Sequence, residues 1–166
     1  MPEEEHDVVV DDGVAVPVPG AGEIWTAGAV ILNQEGKAFA QRRGPDRALF
    51  PDCWDIVGGY VEPGESLLAA LAREVEEETG WRLRRVRRLL GVTAWTGDDD
   101  GGVRHEADYL VEVDGDLDRP CLEWSRHTAY GWFGLQDLPR LKENRPAGEF
   151  LIHDLIAAAL RGVSRT

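Results

Sequence analysis

The sequence predicts an α/β fold in which a mixed β-sheet is sandwiched between α-helices, and three observations carry that expectation. Strand-like and helix-like segments are interspersed along the chain, two segments repeat apolar residues at helical spacing, and the strand candidates come partly in hairpin-like runs. The hairpins favour a mixed sheet over a doubly wound parallel one. At 166 residues the chain is long enough to bury one core and too short to expect two independent ones, so one domain is expected.

Residues 1–23 read as an N-terminal arm: acidic residues, the apolar run Val8-Val9-Val10 with room for one short strand, and the loop formers Pro17, Pro19, Gly20 and Gly22. The arm can pair across a homodimer or lie on its own domain. Residues 24–166 form the main domain. Residues 24–32 are β-branched and apolar, Asn33-Gln34-Glu35-Gly36 supplies turn chemistry, and residues 37–42 resume an extended pattern, so a hairpin is expected. A loop with Pro45 and Pro51 follows, then a short strand from Trp54 that ends on Gly58-Gly59. Ser66 is placed to cap a helix whose Leu67, Leu68, Leu71 and Val75 recur on one face until Gly80 stops it. Residues 86–96 and 103–113 are the next strands, with a charged, glycine-rich loop at 97–102. Residues 129–133 give a last strand, and residues 149–160 close the domain with an amphipathic helix.

Composition removes several classes of function. A chain that is 43% hydrophobic and 30% charged, without an apolar run near the roughly 20 residues a bilayer needs, is neither disordered nor helical-membrane in type. Its start, Met1-Pro2-Glu3-Glu4-Glu5, is acidic where a secretory signal is basic and then apolar, so a cytoplasmic location is expected. Cys53 and Cys121 alone make no disulfide framework and read as reduced thiols. A net charge of -13 argues against an extended nucleic-acid footprint. Arg82, Arg84, Arg85, Arg87 and Arg88 alternate with Leu83 and Val86, the pattern of an exposed strand edge. An acidic protein still binds polyphosphates when divalent metal inverts the local field.

The most informative stretch is Gly58-Gly59-Tyr60-Val61-Glu62-Pro63-Gly64-Glu65, followed by Arg73-Glu74-Val75-Glu76-Glu77-Glu78-Thr79-Gly80-Trp81. Helical spacing projects Glu74, Glu77 and Glu78 together, and three like charges so placed repel one another. In isolation they would read as a solvated acidic face. Here a glycine turn precedes the helix at a defined distance, and Arg73 can pair with Glu77 one turn later. That context points to a cage for a hard cation that bridges carboxylates and phosphates.

These residues resemble the Nudix hydrolase family, whose signature is Gly, five residues, Glu, seven residues, Arg-Glu, an apolar residue, any residue, Glu-Glu, any residue, Gly, and an apolar residue. Gly59, Glu65, Arg73, Glu74, Val75, Glu77, Glu78, Gly80 and Trp81 stand on those positions in order, Trp81 being larger than the usual aliphatic. The resemblance covers about Ile24 to Leu160 and implies a Nudix-type mixed sheet between helices. It further implies Mg²⁺, with Mn²⁺ as a substitute, on Glu74, Glu77, Glu78 and the Gly58 carbonyl, with Glu65 and Arg73 as orienting groups. The base that takes the proton from water would be Glu77 in the first place and Glu106 in the second, although Glu106 also reads as a solvent-facing strand residue. Arg42 and Arg43, at the end of a hairpin strand, are candidates for substrate phosphates, or else plain surface charge.

The implied reaction is cleavage of a phosphoanhydride in a nucleoside diphosphate linked to another group, a small-molecule substrate. Between Arg82 and Asp118 there is no Pro and the only Tyr is Tyr109, so the ADP-ribose and dinucleoside-polyphosphate patterns are missing, as are those for coenzyme A and NADH. Elimination leaves a nucleoside triphosphate, converted to monophosphate and pyrophosphate. Two rivals stand beside it. A nucleotide-sensing Nudix module would usually have lost box carboxylates, and an isopentenyl diphosphate isomerase-like enzyme needs a cysteine where this chain has Gly58. The tryptophans are expected mostly in the core, and His105, His127 and His153 show no ligand spacing.

Overall fold

The computed structural model describes residues 8–96 and 101–162. Residues 1–7 of the arm and residues 97–100 of the expected 97–102 loop lie outside the described residues. Among the described residues, eight strands and two α-helices follow one another as β1 (Val9–Val10), β2 (Ile24–Ile31), β3 (Ala38–Arg43), β4 (Trp54–Asp55), β5 (Val57–Tyr60), α1 (Leu67–Thr79), β6 (Arg82–Thr96), β7 (Val103–Asp114), β8 (His127–Phe133) and α2 (Leu151–Arg161). A 3-10 helix, Leu135–Lys142, precedes α2. Five strands form a mixed sheet in the order β1-β6-β7-β2-β5, and three form a second sheet in the order β4-β3-β8.

One expectation fails here. β2 and β3 are not a hairpin: they share a single bridge, Leu32 to Ala38, and then part into different sheets. The sequence explains it. From Ala27 to Ile31 every residue of β2 is buried, so both faces and both edges need partners, and β2 takes the middle of the large sheet between antiparallel β5 and parallel β7. The Asn33 side chain accepts from the Glu35 and Lys37 amides at 3.0 and 2.9 Å, which turns the chain without extending the ladder. β3 then pairs with β4 and β8.

In the described part of the arm, Val9 and Val10 run parallel to Arg85 and Val86 at the edge of β6. Asp11 accepts from Arg85 and Arg87 at 2.5 and 3.1 Å, and Glu112 on β7 takes Arg84 and Arg87. The arginines of β6 are therefore largely matched by carboxylates, and β6 begins at Arg82, four residues earlier than its apolar run suggested.

α1 starts where Ser66 Oγ accepts the Ala69 amide at 3.0 Å and stops at Gly80, whose left-handed φ of 76° returns its N–H to the Glu76 carbonyl. Its Leu67, Leu71 and Val75 pack on Ala27, Ala29 and Ala107 of the large sheet, together with Trp25 and Trp81. A second core, with Trp54, Phe133, Leu155 and Ile156, joins the small sheet, the 3-10 helix and α2. Of the tryptophans, Trp25, Trp54 and Trp81 are buried, Trp95 and Trp132 are half-buried, and Trp124 is 65% exposed.

Candidate metal and phosphate site

The apolar face that seats α1 carries Glu74 and Glu78 inward with it. Glu78 is 3% exposed, and its two oxygens accept from the Gly58 amide at 2.7 Å and from Gln41 Nε2 at 3.0 Å. Burial pushes its carboxyl up to about 8 against the pull of the Gly58 amide, with Glu74, Asp55 and Glu123 adding negative charge nearby. Glu74 is 6% exposed, and burial raises it too, although Arg73 pulls the other way. A Cβ at position 59 would sit 2.4 Å from the Glu74 carboxyl carbon, so the second glycine of the turn is the floor on which that carboxylate rests.

Arg73 is the hub of the helix. Its Nε and Nη2 donate to Glu65 at 2.8 and 3.0 Å, Nη1 donates to Glu74 at 2.8 Å and Glu77 at 3.3 Å, and Nη2 also reaches the Tyr60 carbonyl at 2.9 Å. The Glu65 hydrogen bonds come first among the causes that hold this guanidinium firmly charged, and Glu65 is pulled down in return. The Glu65–Arg73 pair thus fixes the glutamates relative to the turn before the helix. Glu77 differs from its neighbours: its side chain is 50% exposed and faces water.

The remaining expected residues divide. Arg43 bonds Asp55 Oδ2 at 3.1 Å and the Leu49 carbonyl at 2.9 Å, while Arg42 turns to the Asp52 carbonyl at 3.2 Å, holding the loop. Glu106 lies on β7 beside β2, where Thr26 Oγ1 donates to it at 3.0 Å, and it is not among the partners of Arg73. Burial raises its carboxyl, and Asp55, which also presses on Glu78, adds to the rise.

Three residues at the centre were not anticipated. Gln41 and Asp55 come from paired strands, and His127, 3% exposed, sets Nε2 at 3.7 Å from Glu78 Oε2. Burial, with Arg47, Arg43 and Arg126 around it, pushes His127 down to about 4, so it is neutral at pH 7. Gln41 follows Ala38-Phe39-Ala40 and precedes Arg42-Arg43, so in the sequence it reads as part of the polar end of the strand, and only its buried bond to Glu78 marks it. His127 pairs with Arg43 across a bulge in the β3–β8 ladder, a long-range contact that no local pattern encodes.

Among the described residues, no three acidic, histidine or cysteine side chains already converge as a finished metal cage. The donor set nevertheless fits a hard divalent cation. Glu74 and Glu78 are oxygen donors held out of water where the protein leaves their charge under-compensated, and a cation at that point relieves both.

Comparison with known proteins places the chain in context. Residues 23–154 match the model of the NUDIX domain. The chain is 38% identical over 82 residues to the nucleoside triphosphatase NudI of Escherichia coli strain ATCC 8739, a stretch that is 49% of this chain and 55% of that protein. It therefore spans about half the length of the curated relatives it matches there. Against NudI of Escherichia coli O17:K52:H18 the identity is 37% over 121 residues, 65% of this chain and 80% of the relative. A MutT NUDIX hydrolase structure from Burkholderia pseudomallei superposes with a TM-score of 0.61 at 30% identity, covering 84% of this chain and 97% of that one. A NUDIX hydrolase from Nitrosomonas europaea, at 24% identity and a TM-score of 0.67 over 86% of this chain and 91% of its own, shares the fold.

Proposed function

The chain belongs to the Nudix hydrolase family, and from that premise we propose that it is a divalent-metal-dependent hydrolase of nucleoside triphosphates, releasing monophosphate and pyrophosphate. The observation that carries the reading is the intact carboxylate helix, with Glu74 and Glu78 buried and Glu65–Arg73 bracing them. The nucleoside triphosphatases among the relatives support the substrate class. As a consumer of free nucleotides the protein would act in the cytoplasm.

Glu74, Glu77, Glu78 and the Gly58 carbonyl would hold Mg²⁺, with Mn²⁺ as a substitute. When bound, the cation neutralises charge on the phosphoryl oxygens and lowers the pKa of water. The water oxygen forms a new P–O bond, the bridging P–O bond breaks, and pyrophosphate leaves with the bond pair. Glu77 takes the water proton. Its exposure leaves it open to solvent, whereas Glu106 sits on β7 behind Thr26 and is the second candidate. Arg73 orients Glu77 through the 3.3 Å contact, and Arg43 steers the phosphates from the end of β3.

The test is a panel of nucleoside triphosphates, nucleotide sugars, ADP-ribose and dinucleoside polyphosphates with Mg²⁺ or Mn²⁺, reading the mononucleotide products of every substrate by chromatography and pyrophosphate from the triphosphates, with Glu77→Gln in parallel. Metal-dependent pyrophosphate release from triphosphates, lost in the variant, is expected. Silence across the panel with nucleotide binding intact would move the protein to the sensor class.

A further inference from the structure

Glu78 is held by two strands that belong to different sheets. The Gly58 amide on β5 donates to Glu78 Oε1 at 2.7 Å, and Gln41 Nε2 on β3 donates to Glu78 Oε2 at 3.0 Å. The β2–β5 ladder fixes the Gly58 amide, and Gly58 lies so close to β2 that a Cβ there would stand 2.5 Å from the Ala27 carbonyl oxygen. Gln41 is anchored from its own side: it pairs with Asp55 on β4 and with Tyr130 on β8, in the middle strand of the small sheet. His127 Nε2 stands 3.7 Å from the same Oε2, too far for a hydrogen bond, so among the described residues Gln41 is the side chain that donates to it.

Packing alone does not account for a glutamine here. Gln41 is 0% exposed, and its Oε1 has no hydrogen-bond partner among the described residues. Methionine or leucine would fill the same space without leaving an oxygen unmatched out of water. What the amide does make is its bond to Glu78. An ionised carboxylate accepts at both oxygens, in about four lone-pair directions. One donor on each oxygen fixes the plane of the group and leaves lone pairs for a cation.

The kind of donor matters as well. Glu74 takes its hydrogen bond from the charged Arg73, whereas both donors to Glu78 are neutral amides. A lysine or arginine at position 41 would also orient the carboxylate, but it would compete with a metal ion for the same negative charge. A neutral amide orients without neutralising.

We propose that Gln41 is a positioning residue of the metal site: its amide sets the orientation of Glu78, so that the carboxylate meets a divalent cation with its charge undiminished. The inference rests on the reading of Glu78 as a metal ligand, and it adds to that site a residue from the other sheet, outside the carboxylate helix. Loss of an outer partner of a ligating group lowers metal affinity by about 10- to 100-fold.

The test reads metal binding without turnover. Mn²⁺ binding to the full chain, nucleotide absent, is followed by electron paramagnetic resonance in wild type, Gln41→Met, Glu78→Gln and the double variant. Gln41→Met nearly keeps the volume and removes the amide, and its Mn²⁺ Kd is expected to rise at least about tenfold. Its metal-free melting temperature is expected to stay within about 4 °C of wild type, since the change unpairs Glu78 Oε2 but also removes the unmatched Gln41 Oε1. In the Glu78→Gln background the same substitution is expected to leave Kd within about twofold, because Gln41 acts through Glu78. Should Gln41→Met not fold, Gln41→Asn, whose amide is one methylene short of Glu78, carries the same expectation for Kd. A Kd unchanged by loss of the amide, with or without loss of stability, overturns the proposal and leaves Gln41 a packing residue. Equal weakening in both backgrounds overturns it too, since Gln41 would then bind metal independently of Glu78. A wild type that binds no Mn²⁺ and hydrolyses no nucleotide overturns the metal-site reading and the inference with it; a wild type that does both, with Gln41→Met binding Mn²⁺ equally well, overturns the inference alone.

Discussion

Replacing Glu78 by Gln should stabilise the metal-free protein, and by an amount that depends on pH in a defined direction. The carboxyl titrates near 8 in the folded chain and near its ordinary value of 4.5 when unfolded. A raised acid holds its proton more tightly in the folded state, so the folded state is unharmed below about 4.5 and loses stability as pH climbs toward 8. At pH 7 about 2.5 pH units of that window have been crossed, and at about 1.4 kcal/mol per unit the cost is about 3 kcal/mol. Glutamine removes that cost and keeps the shape. Its oxygen can accept from the Gly58 amide, and its NH₂ can donate to Gln41 Oε1, which is buried without a partner, once the Gln41 amide rotates. For a chain of this size the gain is worth about 6–12 °C in melting temperature at pH 7. The assay is thermal unfolding of wild type and variant in EDTA at pH 5 and pH 8. The gap should be small at pH 5 and largest at pH 8. Saturating Mg²⁺ should narrow or reverse it, because metal at about a hundred times its Kd adds about 2.7 kcal/mol to wild type and less to a variant lacking the ligand. A variant destabilised by the same amount at both pH values would refute the argument, since burial of a charge would not then be what strains Glu78.

Gly59→Ala puts a methyl group where the Glu74 carboxyl lies, 2.4 Å away, and the flexible end of the glutamate must move. The Mg²⁺ concentration for half-maximal rate should rise about 10- to 100-fold while stability in EDTA changes by about 1 kcal/mol or less; an unaltered Mg²⁺ titration would separate Glu74 from the metal. Ser66→Ala removes the 3.0 Å cap on the Ala69 amide and should lower the melting temperature by about 2–4 °C, from about 1 kcal/mol of lost capping, with kcat at 25 °C within about twofold of wild type. A large loss of rate at unchanged stability would mean that Ser66 has a task beyond starting the helix.

The sequence by itself determined the parts of this protein that depend on neighbours along the chain. Ser66 and Gly80 bound the helix at the expected places because capping is a local exchange of hydrogen bonds. The spacing of Arg73, Glu74, Glu77 and Glu78 was legible because a helix has a fixed period, and Arg73 does touch Glu77 one turn on. The family followed from the same stretch, since its signature is itself local. Tertiary structure decided the rest. The turn at Asn33 looked like a hairpin, yet β2 needed cover on both faces and found β5 and β7 instead. Strand pairing across scores of residues is settled by which apolar faces can be buried together, and turn chemistry alone does not carry that information. The same limit hid Gln41, Asp55 and His127 from view, and with them the contrast between buried Glu74 and Glu78 and exposed Glu77. A helix period says which carboxylates share a side of the helix; only the packing of β3, β5 and β8 against that side says which of them leave water, and it is the loss of water that moves a carboxyl from its ordinary range to about 8.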